Sequence, residues 1–349
     1  MRTRLTELLG IRYPIVQTGM GWVAGARLVA ATSAAGGFGI IASATMSLDQ
    51  LRATIREVRQ RCDAPFGVNL RADAPDAAQR IELLAAEGVP VASFALAPTR
   101  DLLRRCADLG LVSLPSVGAR RHAEKVAGWG ADAVIVQGGE GGGHTGPVPT
   151  TLLLPQVVDA VDIPVVAAGG FFDGRGLVAA LAYGAAGIAM GTRFLLTSDS
   201  PVADAVKRQY LERGVLDTVV TTRVDGVPHR VLRTPFIDRL ERSGRVAGLL
   251  RALRNAERFR RLSGMSWPQL LRAGRATRHG RELAWSQVLM AANTPMLLKA
   301  AMVDGRPDLG VMSAGQVVGL IDDLPSCAEL IERIVAEADG CLKRLSTVR

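Results

Sequence analysis

Eight short apolar runs, each followed by an amphipathic stretch, fill residues 14–215 and constrain the fold of this 349-residue chain more than any other feature. The runs are 14–19, 38–42, 66–71, 91–96, 111–117, 133–139, 164–170 and 187–192. Each has the length of a buried strand and is too short for a helix. Helical spacing fills the intervals: Leu48, Leu51, Ile55 and Val58 share one face of 48–61, and 77–87 repeats the pattern. Pro65, Pro90 and Pro164 stand where a helix must stop before the next strand. Gly36, Gly88, Gly110, Gly130 and Gly184 mark helix ends. Eight βα units over about 200 residues predict an α/β protein of the (β/α)8 TIM-barrel type. A doubly wound sheet shares the rhythm, but its first strand leads into a glycine-rich dinucleotide turn. Here the first run continues Gln17-Thr18-Gly19-Met20-Gly21-Trp22, which is not that turn. The glycines gather after the sixth, seventh and eighth runs instead.

Beyond residue 215 the rhythm breaks. Runs 219–223 and 227–232 flank Asp225-Gly226, a hairpin-turn signal. Helical patterns follow over 237–262, 267–276 and 282–301, and the tail reads as helix over 311–321 and 326–345, the last starting at Ser326 after Pro325. The division expected is a barrel over 1–215, a basic, mainly helical cap over 216–305, and C-terminal helices over 306–349 that pack back on the barrel. Charge separates the cap from the rest. Residues 207–281 hold 18 Lys/Arg against 6 Asp/Glu, a net of +12, whereas the remainder nets −3. Such a block attracts anionic partners, or is a set of solvated arginine-rich helices.

Composition excludes several classes. At 48% hydrophobic residues the chain can bury a sizeable core and is not disordered. No uncharged apolar run spans a bilayer, and the first residues lack the apolar core of a signal peptide. Cys62, Cys106, Cys327 and Cys341 are scattered without a C-x-x-C pair, which fits reduced thiols in the cytoplasm. No second His or Cys stands at ligand spacing from another, so no metal is expected. No nucleic-acid motif appears, and three tyrosines are few for base stacking. The expected partner is a small-molecule substrate, with neither nucleic acid nor membrane; a homo-oligomer is compatible with the sequence.

The chemistry concentrates at 137–146, where five of the seven residues 138–144 are glycine around Glu140 and His144. Glycine at this density lets backbone approach a flat or phosphorylated ligand. In a (β/α)8 barrel, ligands bind at the C-terminal strand ends, with phosphate commonly after strands seven and eight. Those runs end Ala167-Ala168-Gly169-Gly170 and Ala189-Met190-Gly191-Thr192, both rich in backbone N–H groups, and Thr192 adds a hydroxyl. The same glycines would also permit tight turns. Gln17 in the first run, Met20 just after it, Asn69 in the third and Gln137 in the sixth converge on one rim. Their amides suit the alternating carbonyl and N–H edge of a flavin, or brace loops. Imidazole has the range to take a proton from an acidic carbon at neutral pH, which makes His144 the candidate base. Glu140 reads as a solvated loop carboxylate.

Taken together, Gln17-x-Gly-Met-x-Trp-Val-Ala, Phe66-Gly-Val-Asn69, Glu140-Gly-Gly-Gly-His144-x-Gly, Ala167-Ala-Gly-Gly170 and Met190-Gly-Thr-Arg-Phe194 resemble the nitronate monooxygenase (2-nitropropane dioxygenase) family of FMN-dependent barrels. Ser313-Ala-Gly-Gln316-Val-Val-Gly is similar to the family's returning segment. The resemblance implies FMN, bound by Met20, Asn69, Gln137, Gly142, Gly169, Gly170, Met190, Gly191 and Thr192, with Gln316 a weaker candidate. It places the catalytic histidine at His144. One departure is Gly141, where the family pattern has alanine, a change expected to loosen the loop. The Gly19-Met20-x-Trp22 start is similar to the enoyl-thioester reductase branch, and the whole chain looks like actinobacterial steroid-catabolic flavoproteins that dehydrogenate a hydroxylated indane-carboxyl-CoA. That likeness implies a CoA thioester as substrate, with phosphates to be seated by arginines among Arg230, Arg233, Arg254, Arg258 and Arg261. The alternatives are nitronate oxidation with O2, enoyl-thioester reduction with NAD(P)H, and a flavin-free basic protein that binds nucleic acid or a partner through residues 207–281.

Overall fold

The computed structural model describes residues 1–242, 257 and 293–348. Eight parallel strands close into a barrel: β1 (Ile15–Gln17), β2 (Phe38–Ala42), β3 (Phe66–Arg71), β4 (Val91–Ala95), β5 (Val112–Val117), β6 (Val134–Gln137), β8 (Val165–Ala168) and β9 (Gly187–Met190). Closure joins β1 to β9, with Gln17 opposite Met190. Each expected run contains one strand, and a helix follows each. Several runs are trimmed at their C-terminal ends, because Thr18, Gly138 and Gly169 have left the ladder to build loops. Gly36, Gly88, Gly110, Gly130 and Gly184 all take left-handed φ at helix ends, as their positions predict.

Strand alternation sorts the apolar side chains into two cores. Val16, Phe38, Ile40, Leu114, Ile135, Val166 and Ala189 fill the barrel, and Leu5 and Leu9 of the first helix, Arg4–Leu9, join that cluster. Ile15, Ile41, Val68, Val136 and Ile188 point the other way, toward the surrounding helices. The helix Leu48–Arg61 shows why these segments are helical. Ser47 and Gln50 form a capping box, and Leu51, Ile55 and Val58 repeat along one buried face. The last helix, Cys327–Ser346, starts on another such box at Ser326 and Glu329. It packs on the helix Gly174–Ala182 so closely that a Cβ on Gly174 would lie 2.3 Å from Ala338 N. The chain thus returns to the barrel.

A second, antiparallel sheet of three strands stands on the barrel. It joins β7 (Gly143–His144), β10 (Thr218–Thr221) and β11 (His229–Leu232) in the order β10-β11-β7. Thr221 pairs with His229, so residues 222–228 form a long loop and Asp225-Gly226 is not a two-residue hairpin turn. Asp225 is drawn inward by its side chain instead. Residues 311–315 are not helical either: Leu232 N donates to Met312 O at 2.8 Å and Val231 bridges Ser313, so strand-like pairing wins over helical spacing. Only Gln316–Leu320 forms a single 3-10 segment. The helices Pro235–Arg242 and Asn293–Met302 overlap those expected over 237–262 and 282–301; apart from residue 257, the remainder of both, and the 267–276 helix, lie outside the described residues.

Among the described residues, no helix is long and apolar enough to cross a membrane. All four cysteines are free thiols, and burial pushes Cys106 and Cys327 up to about 12, far from nucleophilic range.

Candidate active site

One part of the barrel's C-terminal rim is made of backbone. β8 and β9 lie side by side, Ala168 opposite Ala189, and both run into glycine. Gly169 and Gly170 take φ of +98° and +81°, a region unfavourable to other residues. They serve different ends. A Cβ on Gly169 would lie 3.0 Å from Thr150 Oγ1 and 3.1 Å from Gly138 O, so this glycine packs against the loop after β6. A Cβ on Gly170 would meet nothing nearer than Glu140 Cβ at 3.8 Å. Gly191 precedes the short helix Thr192–Leu195, whose first-turn N–H groups have no helical carbonyl to bond. Thr192 Oγ1 accepts from Gly315 N at 2.9 Å, which leaves its hydroxyl proton for a second acceptor. Open backbone donors beside a hydroxyl donor fit the phosphate of FMN.

The neighbouring rim residues fit a flavin ring in part. Gly19 lies against Asn69, and Met20 Sδ lies 3.5 Å from the place of a Cβ on Gly191, so this loop links β3 to β9. Phe66, Val68 and Leu70 face the helices, so alternation turns Asn69 into the barrel mouth, where its Nδ2 donates to Ser93 Oγ at 3.2 Å. Gln137 faces inward by the same rule. Its Nε2 donates back to His144 O at 2.9 Å and Gly142 O at 3.3 Å, which leaves only Oε1 for a ligand. Gln17 and Met190 have the opposite parity. Gln17 is fully buried, its Nε2 donating to backbone carbonyls of Thr18 and Ile40 and its Oε1 unpartnered, so it is not a rim amide. Met190 puts its side chain into the helix-facing core, and its carbonyl accepts from Thr18 N at 3.2 Å.

The loop between β6 and β7 is packed, not loose. A Cβ on Gly141 would lie 2.6 Å from Gln137 Nε2, so the glutamine amide occupies the space that the family's alanine would need. Gly142 touches the returning segment, where a Cβ would lie 2.5 Å from Ala314 C and Gly315 N. Gln316 is tied to the same loop through its backbone N, which donates to Glu140 O at 2.9 Å. Glu140 itself is not a solvated carboxylate. It accepts from Thr150 N at 3.0 Å and Thr150 Oγ1 at 2.7 Å, capping the helix Thr150–Val158 at its positive end. Arg230 also braces this loop, its Nε and Nη2 donating to Gly139 O at 3.1 and 2.9 Å. A cavity of about 490 Å³ lies beside it, among Glu140, Pro147, Val220, Arg230 and Gln316; His144 is not in its wall.

The other part of the rim is made of side chains from distant segments. Pairing of β7 with β11 sets His144 opposite His229. The His144 imidazole is half exposed, and its Nε2 lies 2.6 Å from Asp225 Oδ2, a carboxylate only 5% exposed. Thr294 Oγ1 donates to the same oxygen at 2.7 Å, and Val227 N donates to Oδ1 at 3.2 Å. His229 is buried beneath, its ring centroid 4.7 Å from that of His144. His229 Nε2 lies 2.8 Å from Ser313 Oγ; Nδ1 stands 3.8 Å from Asp225 Oδ2, too far for a hydrogen bond. Burial alone would raise the Asp225 carboxyl, but the His144 imidazole hydrogen-bonded to it outweighs burial and holds the group well below the carboxylate range. Burial lowers His229, with Asp225 pulling against it, so the ring is neutral at neutral pH.

Sequence reading found His144 and missed Asp225, Thr294 and Ser313, while His229 figured only as a hairpin residue. The one available signal was an acid and a histidine four positions apart beside Val224 and Val231. Spacing along the chain also gave no hint that His144, Asp225 and His229 would offer three ligand-type atoms within 4.8 Å. The 2.6 Å contact is nevertheless a hydrogen bond: two ligands on one tetrahedral zinc ion at about 2.0 Å each stand about 3.3 Å apart.

Fold and rim together define a (β/α)8 barrel with glycine-rich ends on two adjacent strands and a carboxylate-held histidine at its mouth. The chain belongs to the nitronate monooxygenase family, whose profile matches residues 2–80 and 76–337. It is 67% identical to the (3aS,4S,5R,7aS)-5-hydroxy-7a-methyl-1-oxo-octahydro-1H-indene-4-carboxyl-CoA dehydrogenase of Mycobacterium tuberculosis, over 100% of this chain and 99% of that protein. A probable nitronate monooxygenase of Staphylococcus saprophyticus is 32% identical over 69% of this chain and 81% of its own length. Among solved structures, FabK from Thermotoga maritima superposes with a TM-score of 0.83 at 36% identity, covering 99% of both chains.

Proposed function

We propose that this protein is an FMN-dependent oxidoreductase that introduces an α,β double bond into a ring-bearing acyl-CoA, of the hydroxylated methyl-oxo-indane-carboxyl-CoA type met in steroid breakdown. One observation carries the reading. Likeness to the dehydrogenase runs end to end at 67% identity, through the segments that supply Asp225, His229, Thr294 and Ser313. Likeness to the nitronate monooxygenase covers 69% of the chain at less than half that identity.

The residues divide the work. Gly170, Gly191 and Thr192 hold the FMN phosphate, and Met20, Asn69 and Gln137 border the ring. Bound FMN supplies a two-electron acceptor for the β-hydrogen, which leaves the substrate as hydride. A thioester carbonyl acidifies its α-carbon, and His144, half exposed at the rim, takes that proton. The positive block attracts the CoA phosphates. Arg230 is engaged with Gly139 and Thr218, and Arg233 pairs with Asp238 at 3.2 Å. Arg254, Arg258 and Arg261 lie outside the described residues.

The test is anaerobic mixing of the FMN-loaded protein with the indane-carboxyl-CoA ester or with an alkyl nitronate, the acyl product being analysed by mass spectrometry. Loss of two hydrogens from the acyl group is expected, with no reaction of the nitronate. Turnover of the nitronate alone refutes the dehydrogenase reading. Oxidation of NAD(P)H by the enoyl thioester would expose the reverse direction as the physiological one.

A further inference from the structure

Among the groups around His144, Asp225 is the one that meets every condition for controlling it. Its carboxylate is 5% exposed and receives only donors: the Thr294 hydroxyl, Val227 N–H and His144 Nε2, the last at 2.6 Å. An ionised carboxylate has no proton to give, so Nε2 must carry one. In a neutral imidazole the lone pair then resides on Nδ1. The histidine backbone is fixed as well, by pairing with His229 and by Gln137 Nε2 on His144 O. The ring is therefore held by its main chain at one end and by Nε2 at the other.

We propose that Asp225 is the positioning residue of the reaction: it locks His144 in the Nε2–H tautomer, so that Nδ1 is the atom that accepts the substrate's α-proton. The proton step balances without further groups. The Cα–H bond breaks, its electron pair stays on the substrate, and an Nδ1–H bond forms. Asp225 keeps its charge beside the imidazolium and never takes the proton. Two neighbours support this arrangement. Thr294 donates to the same oxygen as Nε2, and Trp22 Nε1 donates to Pro295 O at 2.7 Å, which ties the helix Asn293–Met302 to the rim. His229, buried and bonded to Ser313, stays neutral, and its Nδ1, 3.8 Å from Asp225 Oδ2, makes no hydrogen bond to compete with His144.

This inference rests on the dehydrogenase reading for its kinetics but not for its tautomer, and the experiment separates the two. The FMN-loaded protein, its D225N and D225E variants and the α-deuterated CoA ester are compared, and the 15N resonances of the His144 ring are recorded in the wild-type holoenzyme. Asp225→Asn is expected to lower kcat by roughly 10³-fold, with KM and FMN affinity within about threefold of wild type. The α-deuterium effect on kcat should rise, because proton removal becomes the slow step. Asp225→Glu should recover at least about tenfold over the amide, since it restores an acceptor-only group. The wild-type spectrum should show protonated Nε2 and unprotonated Nδ1. An Nδ1–H signal in the wild-type protein, or an amide variant within about threefold of wild-type kcat, overturns the proposal. Should the wild-type protein fail to act on any acyl-CoA, the function proposed above falls, while the ring spectrum still decides the tautomer.

Discussion

The two sides of the rim are built by opposite means. At β8 and β9 the site is backbone: Gly170, Gly191 and the first turn of Thr192–Leu195 present N–H groups, and the strands that carry them are neighbours in the barrel. At β7 the site is side chains: His144, Asp225, His229, Thr294 and Ser313 come from segments up to 169 positions apart, brought together by the small antiparallel sheet and the returning strand. In the proposed function the backbone side holds the cofactor's phosphate and the side-chain side selects the chemistry. The side-chain half depends on the region beyond the barrel. A shared barrel with different reactions is the expected result of such a division.

Substitutions can break this contrast, and the largest effect belongs to the side-chain half. His144→Ala should lower kcat for the acyl-CoA by about 10³-fold or more while FMN stays bound, as steady-state kinetics and the bound flavin spectrum would show. Gly142→Ala should act on stability instead. Its methyl would meet Ala314 and Gly315 at 2.5 Å, where backbone cannot yield cheaply, so urea unfolding of the apoprotein should lose about 1–3 kcal/mol. Thr192→Val removes a hydroxyl from the backbone half. FMN affinity should weaken about five- to tenfold by fluorescence titration, the worth of one hydrogen bond, with kcat at saturating FMN retained.

The smallest effect is on pH dependence. His229 is held below its ordinary value by burial, so the unfolded chain binds a proton that the native protein refuses. Its contribution is fully present above about pH 6.5 and declines as pH falls below that value. Urea unfolding at pH 7.5 and 5.5 should show this loss, and His229→Gln should flatten the slope.

Backbone features were legible in the sequence, and side-chain convergence was not. Eight apolar runs with proline and glycine at their borders dictate the barrel, because strand and helix periods are local properties. The placement of Gly169, Gly170, Gly191 and Thr192 at two adjacent strand ends follows once strand order is known, since barrel neighbours are sequence neighbours. Orientation is less visible. Gln17 and Met190 lie at the right strand ends, and only the pleat, one residue out of phase, turns them away from the mouth. Gly141 and Gly142 look like freedom in a sequence and prove to be close packing against Gln137 and Ala314. Asp225 was the hardest. Asp-Gly favours a tight turn locally, but a histidine 81 positions away decides where the carboxylate goes.

The central claim is that a flavin at this rim receives electrons only when His144 removes the α-proton of a CoA thioester. Anaerobic titration of the FMN-loaded protein with the indane-carboxyl-CoA ester, followed by flavin absorbance, tests it most directly. The account predicts bleaching of the wild-type flavin at one ester per flavin and an unbleached spectrum for His144→Ala with the ester bound. Equal bleaching of both proteins, or none of the wild type, would contradict it.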